Sequence, residues 1–137
     1  MAKPTRQGSE MLLRVMEIYL SEPLRRARRF WATIPDDLGF EELLAKYPRG
    51  TEEFDQIGTV ITFWETIGSL IKQGLLNQDL AFDTFLDAPP WKKVERFFRE
   101  RRAKENEPLE GENLEFAYKL SEKWKKTHSK PRKKARI

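Results

Sequence analysis

The stretch from residue 52 to 73 constrains this chain more than any other. Phe54, Ile57, Val60, Ile61, Trp64, Ile67, Gly68 and Ile71 recur at helical spacing, and Phe63 and Leu70 widen the stripe. A helix apolar over so much of its circumference must be enclosed by others, so the spacing predicts the central element of a bundle. Thr51 is placed to cap it, and Glu52, Glu53 and Asp55 suit its positive end. Gly74 followed by Leu75 supplies a C-terminal stop.

The remaining segments read as shorter partners. Ser9 is expected to cap a first helix carrying Leu12, Val15, Met16 and Tyr19. Pro23 interrupts it, and a second piece puts Leu24, Ala27, Trp31 and Ile34 on one face with Phe30 beside them. A connector follows to Gly50, with a short helix from Phe40 to Lys46 inside it. Asn77 can cap a helix with Leu80, Phe82, Phe85 and Leu86. Pro89 and Pro90 end that segment and open one presenting Trp91, Val94, Phe97 and Phe98. A polar loop over 105–112 precedes a last helix from about Asn113 to Lys126. No sizeable period-two run of β-branched residues occurs, so strands are not expected.

The expected fold is therefore all-α, a five- to six-helix bundle packed around the central apolar helix at about 52–73. Its expected divisions are a flexible lead at 1–8, one helical domain at 9–126 and a disordered basic tail at 127–137. Charge follows the same boundaries. Residues 123–137 hold eight Lys or Arg and no acid, whereas residues 1–122 hold 18 bases and 22 acids. The net charge of +4 thus belongs to the tail, and the body is negative.

Composition excludes several classes of function. The sequence has no cysteine, which removes disulfides, thiolate nucleophiles and zinc–cysteine sites. No stretch approaches the roughly 20 mostly apolar residues a membrane span needs, and the N-terminus lacks the layout of a signal peptide. Cytoplasmic residence is the default expectation. Its one histidine, His128, reads as a solvated tail residue, so neither a positioned triad nor a multi-histidine metal site is expected. The glycines form no phosphate loop. Neither a cofactor nor a metal is expected.

Three groups of residues invite a functional reading. Glu41-Glu42, Glu52-Glu53 and Asp79/Asp83/Asp87 are carboxylate clusters, but acids at helix starts and on exposed faces mostly do routine electrostatic work. Glu65 sits in the most apolar helix, and Arg101 continues the apolar stripe of Val94, Phe97 and Phe98. A buried carboxylate without a partner costs several kcal/mol or takes up a proton. The expectation is an ion pair of Glu65 with Arg101, or with Arg28, that fixes the bundle's register. Third, Lys125, Lys126, Lys130, Arg132, Lys133, Lys134 and Arg136 form a candidate polyanion-binding run. It suits nucleic acid or an anionic surface, and without interleaved aromatics it does not suit sequence reading. Arg25, Arg26, Arg28 and Arg29 form a second basic patch that lacks a helix-turn-helix context.

An ordered set of short motifs carries a family likeness. It comprises the Pro23–Arg29 stretch, the Val60–Gly68 stretch, Lys72-Gln73-Gly74-Leu75-Leu76, and Trp91 through Arg101. Together they resemble an uncharacterised bacterial domain-of-unknown-function family over about residues 12–126. The resemblance implies a helical domain without assigned activity, often behind a single N-terminal membrane helix that this sequence lacks. Glu65, Gly68, Gly74, Trp91 and Arg101 carry over as family-type positions only.

Two functional readings follow. The first is a non-enzymatic helical module that docks a protein partner, suggested by aromatics at helix edges such as Phe30, Phe63 and Phe116. The alternative is polyanion association through the basic tail. An enzyme built on paired carboxylates ranks below both, for want of a pocket-forming motif.

Overall fold

In the computed structural model, residues 3–85 and 89–128 are described. The longest helix among them is α4, Glu52–Lys72, when the helices are numbered in chain order. Thr51 caps it as its sequence predicts: the hydroxyl accepts from the Phe54 N–H at 3.3 Å. Gly74 ends it at φ +75°, a left-handed turn that a side chain would strain. Ile57, Val60, Phe63, Trp64, Ile67 and Gly68 are buried along it.

Six further helices surround this segment in the chain: α1 Arg6–Tyr19, α2 Glu22–Trp31, α3 Phe40–Lys46, α5 Gln78–Thr84, α6 Glu95–Glu105 and α7 Glu112–His128. All seven are α-helices, and no strand occurs among the described residues. The described residues thus hold seven helices, the short connector helix included, where five or six are expected. Phe40 and Leu43 of α3 are buried, and α3 packs on α6. The two most extensive helix–helix interfaces join α4 to α7 and α4 to α2; α1 packs on α2 and α5, and α5 on α7.

Helix boundaries depart from expectation in three places, each for a local reason. α1 begins at Arg6, because Thr5 and not Ser9 caps it; the Thr5 hydroxyl accepts from the Gly8 N–H at 2.9 Å. Ser9 lies inside the first turn and donates its hydroxyl to the Thr5 carbonyl. α6 begins only at Glu95. Trp91 to Val94 form a turn after the two prolines, yet Trp91, Val94, Phe97 and Phe98 are all buried as their spacing requires. α7 runs on to His128, past the expected domain edge at 126.

The core is largely aromatic. Phe85 meets Tyr19, Phe63 and Trp64 edge-on, with ring centroids 5.1–6.1 Å apart. Trp91 stacks on Phe98, and Phe97 packs against both Phe40 and Phe98. Such pairs add about 0.5–1.5 kcal/mol each beyond the area they bury. Phe63 therefore belongs to the core, and Phe30 rests half-buried against Tyr47. Phe116 is half-buried near the Lys72 ammonium. All three aromatics are thus buried or half-buried.

α4 and α7 meet where glycine permits it. A Cβ at Gly68 would lie 2.1 Å from the Asn113 carbonyl oxygen, which is backbone and cannot swing aside. Gly58, ten positions earlier on the same helix, has open space in that direction. Gly68→Ala is expected to destabilise the domain by about 1–3 kcal/mol through forced separation of the helices. Gly58→Ala is expected to stabilise it by about 0.5–1 kcal/mol through helix propensity alone. Urea denaturation of the two variants checks both signs.

Candidate functional site

The outward face of α4 is unusually low. Asp55, Thr59, Thr62 and Thr66 recur at intervals of three and four residues and are exposed, with Gly58 beside them. Thr59 donates its hydroxyl to the Asp55 carbonyl at 2.9 Å, and Thr66 to the Thr62 carbonyl at 2.8 Å. The hydroxyls of Thr59 and Thr66 are thus taken up within their own helix.

A groove opens on each flank of this face. One, of about 580 Å³, lies between α1, α2 and α4, with Val15, Ile18, Pro23, Leu24, Phe63 and Ile67 among its walls. The other, of about 440 Å³, lies between α4, α6 and the 106–111 loop and includes Ile61, Phe97, Leu109 and Glu65. Gly58 and Thr62 line both. The two grooves flank a divide at Gly58 and Thr62, and the surface they make together is a trough astride α4. Ile18 and Leu109, one at each flank, are 56% and 67% exposed, far more than large aliphatic side chains in the core.

The proposed ion pair resolves differently. Glu65 and Arg101 do line the same half of the trough. The Glu65 carboxylate, however, accepts from the Leu114 N–H at 3.1 Å. Leu114 sits in the first turn of α7, whose N–H groups have no partner within the helix, so Glu65 caps α7 from a different helix. Arg101 is engaged by Glu105 at 3.1 Å and by Glu110. Arg28 is engaged elsewhere: its guanidinium lies over the Tyr19 ring and donates to the Tyr19 carbonyl. The partner observed for Glu65 is therefore a backbone amide, which a sequence pattern does not display.

Arg102, which no sequence signal singled out, holds the loop between α6 and α7. It donates to the Glu110 carbonyl at 2.7 Å and to Glu115 at 2.9 Å, with its guanidinium 5.4 Å from the Trp91 ring centroid. One clue was available, since Arg102 falls four residues after Phe98 and so points to the buried side of α6. For Glu115, burial pushes the carboxyl up, but hydrogen bonds and charge from Lys119 and Arg102 outweigh it, and the net shift is downward. Hydrogen bonds from Arg101 and Arg49 likewise hold Glu105 below its ordinary value.

The remaining candidates are dispersed. Glu41 pairs with Lys104, and Glu42 with Arg96 at 3.3 Å, joining α3 to α6. Glu52 bonds Gln56 within α4. Asp79 accepts from the Trp124 Nε1–H at 2.7 Å; Asp83 is exposed and Asp87 lies outside the described residues. No group of three or more His, Asp or Glu placed to hold a metal occurs among the described residues. His128 is the last residue of α7 and not a free tail residue. Its ring stacks on Trp124 with centroids 4.2 Å apart, and Nε2 lies 3.7 Å from Asp79. Lys125 and Lys126 lie within α7, with Lys125 3.8 Å from Glu122. Lys130, Arg132, Lys133, Lys134 and Arg136 fall outside the described residues.

An all-helical domain with an open apolar trough is the class that these features define. No described helix is long and apolar enough to cross a membrane. The chain belongs to the family described as Domain of unknown function (DUF4760), whose model matches residues 9–124. That agrees with the helical family of unknown function which the ordered motifs resemble. No curated protein and no solved structure matches the chain.

Two outcomes are expected of the carboxylates. Glu65→Ala should cost about 1–2 kcal/mol in urea denaturation, and Glu65→Gln, which keeps an acceptor, roughly half of that. Glu115 has its folded value depressed, so its contribution is complete above the ordinary carboxylate range and is lost as pH falls through the folded value. Glu115→Gln should therefore flatten the acid limb of the stability–pH curve and change nothing in the curve's shape near neutrality.

Proposed function

We propose that the domain is a non-enzymatic protein-interaction module whose docking surface is the trough across α4. The occupant is an amphipathic helix of a protein partner. One observation carries this reading: two apolar grooves separated only by Gly58 and Thr62, where a second backbone can approach closely. Helices bound in grooves bury residues at helical spacing, and the two flanks supply walls for such residues on either side of the saddle.

Charge selects among partners. Asp55 lines the trough at its α4 N-terminal end, Glu53 is exposed nearby in sequence, and neither is in an ion pair with a described residue. The complementary helix carries a basic residue at the end lying over Asp55 and apolar residues along the rest of its contact face. Burial of the inner side of α4 pre-organises its outer side, which lowers the entropic cost of binding. Polyanion association through the basic run is the second reading. The charge of residues 123–137 favours it, and it predicts binding that weakens steeply with salt and disappears on truncation after Trp124.

A photo-crosslinking residue at Thr62 of the full chain tests the docking reading. The expected product maps to a basic, amphipathic helical segment of one protein. Gly58→Leu should abolish it by filling the saddle without unfolding the domain, since a Cβ there meets nothing within 4 Å. Equal labelling from a crosslinker at exposed Lys119 would overturn the reading, and crosslinks to the chain itself would replace the partner by a second copy.

A further inference from the structure

Away from the trough, the corner between α1 and α2 gathers three guanidinium groups around one open pocket of about 540 Å³. Arg25, Arg28 and Arg29 are three and four residues apart, which places them on one side of α2. Arg28 is half-buried and fixed: its Cζ lies 3.8 Å from the Tyr19 ring centroid, and Nη2 donates to the Tyr19 carbonyl at 3.0 Å. The Nε of Arg28 is buried and donates to nothing among the described residues. Arg25 is exposed and forms no ion pair with a described residue. Arg29 reaches Glu22 at 3.0 Å, but both side chains are more than half exposed, so that pair holds it weakly. No carboxylate lines the pocket.

Charge bookkeeping shows what this corner lacks. Leu20 and Ala32, the C-caps of α1 and α2, both line it, and each helix end carries about half a negative charge. Glu22 supplies roughly one more where it is not screened. Three guanidinium cations exceed that total by about one unit, before the neighbouring exposed Arg26 is counted. Helix-end capping alone therefore accounts for only part of the cluster.

We propose that this corner binds a phosphomonoester. Such a group carries about −1.5 to −2 charge at neutral pH and three strong acceptor oxygens, enough to offset the pocket's excess and part of the charge of the neighbouring Arg26. The forks of Arg25 and Arg29 suit bidentate contact with it, while Arg28, clamped by Tyr19, sets the field from behind. Leu20, which is 55% exposed beside these arginines, offers an apolar wall to whatever the phosphate is esterified to. A soluble phosphate ester and a phosphomonoester lipid headgroup present the same chemistry to the site. The site shares no lining residue with the docking trough and rests on an observation separate from it.

The test uses the full chain and three probes: phenyl phosphate, acetate, and phosphatidylcholine vesicles with or without phosphatidic acid. The readout is the Arg28 Nε–H resonance for the soluble probes and co-sedimentation for the vesicles. Phenyl phosphate is expected to shift that resonance saturably, and acetate not. The double variant Arg25→Gln/Arg29→Gln should weaken binding by about tenfold or more, whereas Lys133→Gln/Lys134→Gln leaves it unchanged. Because Arg25 and Arg29 are exposed, the variant keeps its fold, which near-ultraviolet circular dichroism verifies. Vesicle binding that needs phosphatidic acid and is lost in the arginine variant, without a phenyl phosphate response, assigns the phosphate to a lipid headgroup. Equal response to acetate, binding lost in the Lys133/Lys134 variant instead, or no response to either phosphate source overturns the proposal.

Discussion

Everything in this bundle depends on how α4 receives the start of α7. Glu65 and Gly68 are one turn apart on α4, and they act on adjacent residues of the incoming helix. Glu65 accepts the Leu114 N–H, and Gly68 leaves room for the Asn113 carbonyl. Position and charge are thereby fixed together. The carboxylate faces the positive end of a helix, and the missing Cβ lets the two backbones come close enough for the contact to form. Leu114, directly after, is fully buried, and Ala117 and Ser121 follow it into the interface as small residues that keep the helices close.

The same device recurs elsewhere with different residues. α3 starts at Gly39 without a side-chain cap, and Glu100 from α6 accepts the Phe40 N–H at 3.0 Å. α1 ends at a carbonyl taken by Arg28 of α2, and α2 ends at one taken by Lys93 at 2.9 Å. Acids serve amino ends and cations serve carboxyl ends, as the helix dipole favours. In a chain with 35% charged residues, part of that charge thus works on the backbone and not only on opposite charges. It also explains why Glu65 is not matched with Arg101 or Arg28. A helix terminus supplies a donor without the entropic cost of immobilising a second long side chain.

Local signals made much of the fold legible. The short helix Phe40–Lys46, the Thr51 and Asn77 caps and the Gly74 stop were readable because each depends on residues within a few positions. The buried faces of α2 and α4 were readable from spacing alone. What the pattern misplaced involved competition or distance. Ser9 was expected to cap α1, but Thr5 does so, and Ser9 lies inside the first turn. Trp91 carried helical spacing across a turn set by two prolines. Among the candidate functional residues, Glu65 was legible as an anomaly but not its partner, 49 positions away. The trough was illegible, because exposed threonines and a glycine on a helix carry no sign of what flanks them.

Capping across helices also governs cooperativity. α3 has seven residues, too few to persist alone, and the acceptor that completes its first turn lies sixty positions further along the chain. α7 waits on Glu65 in the same way. The first turn of each is completed only when the helix that carries the accepting carboxylate has docked. Assemblies of consecutive helices lack these two contacts, which favours all-or-none folding of the domain.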